Sequence, residues 1–219
     1  MDVYKFGWPC FIASSGLVGT TDERLLPPLP DFAFNASFDW LRTSPRLSRE
    51  INQPLVPSSI VDALRSIGLQ LPPDLVAFDT EPDLQNLINW SGLYPDPAEQ
   101  LVVFEQPLPF AVFRLFTEQQ ASFEVLLYID WKNICQILSS CKFFGSGNGG
   151  LIRRLPAPPK EPASDPGHTF VSAASFESFI CRYHVEMSLN SEYADGHLSK
   201  DFSSKYLERL MSSRRTRST

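Results

Sequence analysis

Residues 109–130 read PFAVFRLFTEQQASFEVLLYID, and the architecture of the chain turns on them. Pro109 to Thr117, carrying Phe110, Val112, Phe113, Leu115 and Phe116, has the composition of a strand, and Glu118-Gln119-Gln120 supplies a polar turn. Phe123 to Asp130 is a second strand. Side chains alternate across a strand, so Phe123, Val125, Leu127 and Ile129 share one face and Glu124, Leu126 and Tyr128 the other. Both segments are apolar on both faces, which predicts central strands covered on at least part of each side. The links are too short for a parallel crossover, so the pairing predicted is antiparallel.

On either side the pattern continues. Leu101 to Phe104 is a short strand, and Asp130-Trp131-Lys132-Asn133 turns the chain into another at Ile134 to Leu138. A short strand is expected around Leu151 to Arg154, within a loop-like stretch that begins Gly145-Ser146-Gly147-Asn148-Gly149-Gly150. Upstream, residues 57–90 read as three short helices, started at Pro57-Ser58-Ser59, Pro72-Pro73-Asp74 and Glu81-Pro82-Asp83. Gly68 stops the first. A later helix begins at Ser175, whose hydroxyl caps free N–H groups, with Phe176, Phe179, Ile180, Tyr183 and Met187 at helical spacing. Tyr206, Leu207, Leu210 and Met211 suggest one more. The fold class predicted is α+β: a mainly antiparallel sheet of four to six strands with helices packed on one face. Residues 1–50 read as a partly ordered N-terminal arm, 51–195 as the domain, and 196–219 as a helix and basic tail.

The 219 residues carry 19 basic and 25 acidic side chains. From Lys200 onward six basic residues face two acidic ones, so the first 199 residues hold a net −10. An acidic body repels nucleic-acid phosphates and suits a protein partner with a basic surface. Cys10, Cys135, Cys141 and Cys181 are few and widely spaced, without paired zinc-ligand spacing. No apolar run approaches the roughly 18 residues of a membrane span, and the start Met1-Asp2-Val3-Tyr4 lacks the form of a secretory signal. The expectation is a cytoplasmic protein with reduced thiols, bound to neither membrane nor nucleic acid.

Motifs for catalysis are weak. Gly145, Gly147 and Gly150 spell G-x-G-x-x-G, but Pro156, Pro158 and Pro159 follow where a phosphate-binding helix should run. Cys181 and His184 share a helix face, yet Cys181 adjoins the apolar stripe and reads as a packed, inert thiol. Asp79, Glu81 and Asp83 flank Pro82 at a helix start, where acids serve capping. The expectation is no catalytic residue, no metal and no cofactor.

Three stretches together resemble one family. Leu69-Gln70-Leu71-Pro72-Pro73-Asp74-Leu75-Val76-Ala77-Phe78 is a helix end, an LPPD step and an apolar turn. Phe113-Arg114-Leu115-Phe116-Thr117-Glu118-Gln119-Gln120, running on to Leu127-Tyr128-Ile129-Asp130, is a strand, turn and strand. Ala174-Ser175-Phe176-Glu177-Ser178-Phe179-Ile180-Cys181-Arg182-Tyr183 is a terminal helix. In this order, over about residues 57–190, they resemble the SUKH superfamily of fungal cell-wall-synthesis regulators and bacterial immunity proteins. The chain departs from the family pattern at Ala121-Ser122-Phe123, at Leu127-Tyr128, and at His184, near an expected Trp. The resemblance implies an α+β fold and a non-enzymatic protein-binding module, in bacteria often one that neutralises a toxin.

On that basis the acids Asp79, Glu81, Asp83, Asp96, Glu99, Glu118 and Glu124 are candidate contacts for a basic partner such as a toxin. Two other readings stand beside it. One is a small hydrolase or nucleotide-binding enzyme built on the glycine loop, which requires a helix over residues 151–160. The other is a scaffold subunit docked through its aromatic N-terminal arm.

Overall fold

Helices form where the sequence carries their signals. α1 spans Asp39–Arg42, α2 Ser58–Ser66, α3 Pro73–Thr80 and α4 Pro82–Gln85. A fifth helix, α5, is described over residues 176–184. These come from a computed structural model that describes residues 8–9, 20–21, 29, 34–42, 54–88, 90, 93–97, 99–105, 109–118, 124–140, 150–156 and 169–184. The expected helix at Tyr206 to Met211, the basic tail and most of the glycine loop lie outside the described residues.

Each helix end has a physical cause. Gly68 takes φ +80°, a conformation open to glycine because it has no Cβ. Gly68 N–H then donates to the Arg65 carbonyl at 3.1 Å and Leu69 N–H to the Leu64 carbonyl at 3.0 Å, closing α2 with a Schellman motif. Proline occupies the first turn of α3 and of α4, where its missing N–H has no partner to lose. At α5 the Ser175 hydroxyl accepts from Ser178 N–H at 3.1 Å, and Ser178 Oγ accepts from Ser175 N–H at 3.2 Å. This is a reciprocal cap of the capping-box kind, with serine in the role usually held by Glu.

The strands are β1 (Trp8–Pro9), β2 (Thr20–Thr21), β3 (Leu93–Pro95), β4 (Leu101–Phe104), β5 (Phe110–Glu118), β6 (Glu124–Asp130), β7 (Cys135–Ser140), β8 (Ile152–Leu155) and β9 (Thr169–Ala173). β1 and β2 pair with each other. The principal sheet runs β8-β4-β5-β6-β7-β9, with β3 paired to the second half of β5. Its pairings are antiparallel except that β8 lies parallel to β4. The predicted α+β class, with a mostly antiparallel sheet, is what the chain adopts. It holds seven strands because two short segments, Leu93–Pro95 and Thr169–Ala173, join the expected ones.

The main core lies between the helices and one face of the sheet. Ile60, Leu64, Leu75, Phe78, Phe176, Phe179 and Tyr183 from the helices pack with Leu101, Phe113, Phe116, Val125, Leu127 and Ile137 from the strands. Trp90 stacks on both Phe116 (centroids 5.3 Å apart) and Tyr183 (5.9 Å). Phe176 meets Phe78 edge-on at 5.4 Å. Phe38 and Leu41 are fully buried in the same core, so it draws on residues ahead of the boundary expected at 51. A second, smaller apolar cluster occupies the other face: Val102, Phe104, Phe110, Val112, Leu126 and Leu138, flanked by Tyr128 and Leu155.

Candidate functional site

Two polar assemblies and one exposed hairpin tip carry the chemistry of the described residues. The first assembly sits on the second sheet face. A bulge in β5 between Arg114 and Phe116 shifts the alternation by one, so that Arg114 and Thr117 point the same way although three residues apart. Both reach Asp96, just after β3. Arg114 Nη2 lies 3.1 Å from Asp96 Oδ2, Arg114 Nε donates to the Asp96 carbonyl at 2.9 Å, and Thr117 Oγ1 donates to Asp96 Oδ2 at 2.8 Å. The guanidinium also donates through Nη1 to Glu124 Oε1 at 2.6 Å. Glu124 is fully buried, while Arg114 and Asp96 open toward solvent. Burying a carboxylate is costly unless it is paired, and Arg114 supplies the pair.

The second assembly ties the chain ends of the domain together. Glu177, on the first turn of α5 and buried, accepts from Ala36 N–H at 2.7 Å, Phe38 N–H at 3.1 Å and Trp40 Nε1–H at 3.0 Å. Ala36 (φ 68°) and Phe38 (φ 56°) are both left-handed, a strained state for residues with a Cβ, and it turns both N–H groups toward one carboxylate. Glu177 N–H in turn donates to Asp74 Oδ2 at 2.8 Å. Asp74 belongs to the LPPD step and Glu177 to the terminal helix motif. Phe116, from the central strand motif, stacks on Phe176 and Phe179 at 6.4 and 6.0 Å. All three sequence stretches therefore meet in one core.

The β6–β7 hairpin tip is held from within. Asp130 Oδ1 accepts from Lys132 and Ile134 N–H groups at 2.8 and 2.9 Å, and Asn133, left-handed at φ 58°, accepts from Gln70 N–H at 3.0 Å. Trp131 and Ile134 stand more than half exposed on this turn, with Lys132 Nζ 5.0 Å from the Trp131 ring centre.

The seven candidate acids do not gather in one place. Asp79 is half-buried and accepts from Leu55 N–H. Burial raises its carboxyl pKa, and backbone hydrogen bonds from Leu55 and Val56 pull the other way. Glu81 pairs with Arg42 at 2.7 Å. Asp83 and Glu99 are exposed, on α4 and ahead of β4. Asp96 and Glu124 are joined through Arg114 on the second face. Glu118 closes β5 opposite Leu93, and its side chain lies outside the described residues. Arg114 was legible as the one charge inside the apolar run FAVFRLF; nothing in the sequence singled out Glu177 as an anchor for residues 36–40.

Among the described residues, Cys135, Cys181 and His184 are quiet. Burial pushes Cys181 up to about 12; the nearby Arg182 charge opposes that rise and Glu177 adds to it. Cys135 is likewise pushed up to about 12 by burial, then by the Asp74 and Asp130 carboxylates. Burial lowers His184 to about 4, beside the Trp40 ring at 6.0 Å. A thiol so far above neutrality is not a thiolate nucleophile at pH 7. Ile152–Leu155 form β8, where the glycine-loop reading requires a helix. Among the described residues no group of three or more His, Cys, Asp and Glu is placed to hold a metal ion, and no helix is long and apolar enough to cross a membrane.

The class these features define is a mixed α+β domain with an open, mostly antiparallel sheet, its helices on one face and a charge-paired apolar cluster on the other. Comparison with family models, with curated proteins and with solved structures finds no match to this chain.

Proposed function

We propose that this chain is a non-enzymatic protein-binding module of the SUKH type, serving as an immunity protein that neutralises a basic toxin. The observation that supports the reading is the junction at Asp74 and Glu177, beside Phe116. The three stretches that carry the resemblance are far apart in sequence, yet they pack as one unit, as parts of a single ancestral frame would. The net −10 of the first 199 residues supplies the complementarity to a basic surface. Within it Glu81, Asp83, Asp96 and Glu99 present carboxylates that reach solvent.

Affinity capture of the full chain from its native lysate, at low and high salt, identifies the partner. Stopped-flow association with that partner then tests the charge argument. Replacing Glu81, Asp83 and Glu99 together by Lys is expected to slow association about tenfold at low salt and to flatten its salt dependence. An unchanged rate sinks the electrostatic reading. A captured partner that is acidic, or is itself a small-molecule substrate carrier, sinks the toxin assignment.

A further inference from the structure

The principal sheet ends differently at its two sides. β9 has β1 beside it, whereas the outer side of β8 pairs with no described strand. Leu101 N–H donates to the Leu151 carbonyl at 2.8 Å and Glu105 N–H to the Leu155 carbonyl at 3.0 Å, with β8 parallel to β4. In a parallel strand the N–H and C=O of one residue point to the same side, and successive residues alternate. Residues 151, 153 and 155 therefore turn their main chain toward β4, and Ile152 and Arg154 turn theirs outward. The edge is held at both ends. Gln100 Nε2 donates to the Gly150 carbonyl at 2.9 Å, and Pro156, which has no N–H, closes the far end.

Side chains give this edge a sign. Arg153 and Leu155 stand beside Val102 and Phe104 on the second sheet face, and Leu151, 39% exposed, precedes them with the same period. Ile152 and Arg154 lie on the helix-covered side, where Arg154 is matched by Glu105 at 3.4 Å. Arg153 is half-buried and forms no ion pair with any described residue. The row along the second face is thus apolar, cationic, apolar, on a chain whose first 199 residues are strongly acidic. Edge charges also keep a sheet from pairing with its own kind. One residue type does both here. A second copy of β8 laid along the first sets arginine against arginine, whereas a strand with a carboxylate opposite Arg153 gains an ion pair.

We propose that β8 is a docking edge for an extended acidic segment of another protein, added as a further strand whose side chains next to Leu151, Arg153 and Leu155 are apolar, acidic and apolar. That pattern reads the same in both directions, so parallel and antiparallel approach place the carboxylate alike. Main-chain bonds to Ile152 and Arg154 supply the hold, and Arg153 supplies the selectivity. The site is separate from the acidic surface offered to a basic toxin and stands independently of it.

Amide hydrogen exchange in the full-length protein, read residue by residue by NMR, tests this with two end-blocked peptides. One is Thr-Val-Thr-Glu-Thr-Val-Thr, and the other has Lys in place of Glu. In the free protein the Ile152 and Arg154 amides should exchange fast and those of Arg153 and Leu155 slowly, as their bonds to β4 require. The Glu peptide at about nine-tenths occupancy is expected to slow Ile152 and Arg154 about tenfold, and the Lys peptide at the same concentration to leave them unchanged. Arg153→Glu should transfer protection to the Lys peptide, and Arg153→Gln should remove the discrimination. Slow exchange retained at Leu155 shows that each variant keeps β8 in place. Slow exchange at Ile152 and Arg154 before any peptide is added, equal protection by both peptides, protection by neither, or protection that rises with protein concentration alone would each overturn the proposal.

Discussion

On the helix-covered face of the sheet, Trp90 lies against Phe116 and Tyr183, with its Nε1–H donating to the Gln85 carbonyl at 2.9 Å and Leu93 N–H donating to Tyr183 Oη at 3.2 Å. On the opposite face, rings and branched aliphatics share the surface with Arg114, Asp96 and Glu124. The first is held by shape, through rings packed at van der Waals distance in fixed positions. The second is held partly by pairing, because a buried carboxylate there is tolerable only with its guanidinium. Damage to the two faces should therefore differ in kind. A hole in the first stays a hole, whereas a fault in the second is repaired by removing both partners.

The largest effect separates the faces by packing. Phe176→Ala removes a buried ring between Phe78 and Phe116, and is expected to cost about 3–5 kcal/mol in urea unfolding. Phe110→Ala, at the less enclosed edge of the second cluster, should cost roughly 1–2 kcal/mol less, because the site collapses more readily. Equal losses would break the contrast. Next comes charge. Arg114→Met alone removes the guanidinium that pairs with the fully buried Glu124 carboxylate and should cost about 3 kcal/mol, while adding Glu124→Leu to it restores most of the loss. A double-mutant cycle of unfolding free energies reads the coupling directly.

Acid should act on the helix face. His184 titrates near 4 in the fold against 6.5 when free, so the unfolded chain binds its proton more tightly. Its contribution is whole above about pH 6.5 and is lost as pH falls toward about 4, up to roughly 3 kcal/mol. Asp79 has the opposite sign: its pKa is raised in the fold, so its contribution is present below the unfolded value and fades as pH rises through the folded one. Urea midpoints at pH 7, 5.5 and 4.5 should fall for the wild type and fall less for His184→Gln. The smallest effect sharpens the role of the α5 start. Ser175→Ala removes the cap on Ser178 N–H and should cost about 1 kcal/mol.

Much of this was legible in the chain itself. The period-two pattern of Val125, Leu127 and Ile129 against Glu124, Leu126 and Tyr128 predicts both sheet faces, because alternation is a property of the strand alone. The helix starts at Pro57, Pro72-Pro73 and Glu81-Pro82 were equally local, as was the cap at Ser175. What escaped depends on partners distant in sequence. Leu93–Pro95 and Thr169–Ala173 are strands only because β5 and β7 offer them edges. Parallel pairing of β8 with β4 cannot be read from four residues, IRRL. The candidate acids stand out in the sequence by charge alone, and charge does not reveal that Glu124 faces Arg114 from inside or that Glu177 gathers three donors from residues 36–40.

The order of strands has a kinetic side. β5, β6 and β7 are neighbours in sequence as well as in space, so their pairing closes short loops at small entropic cost. β8 must return across some fifty residues to lie beside β4, where Leu101 N–H meets the Leu151 carbonyl at 2.8 Å. The three-strand meander is thus the natural nucleus. The β8 edge, with the longest return to make, is expected to dock after it.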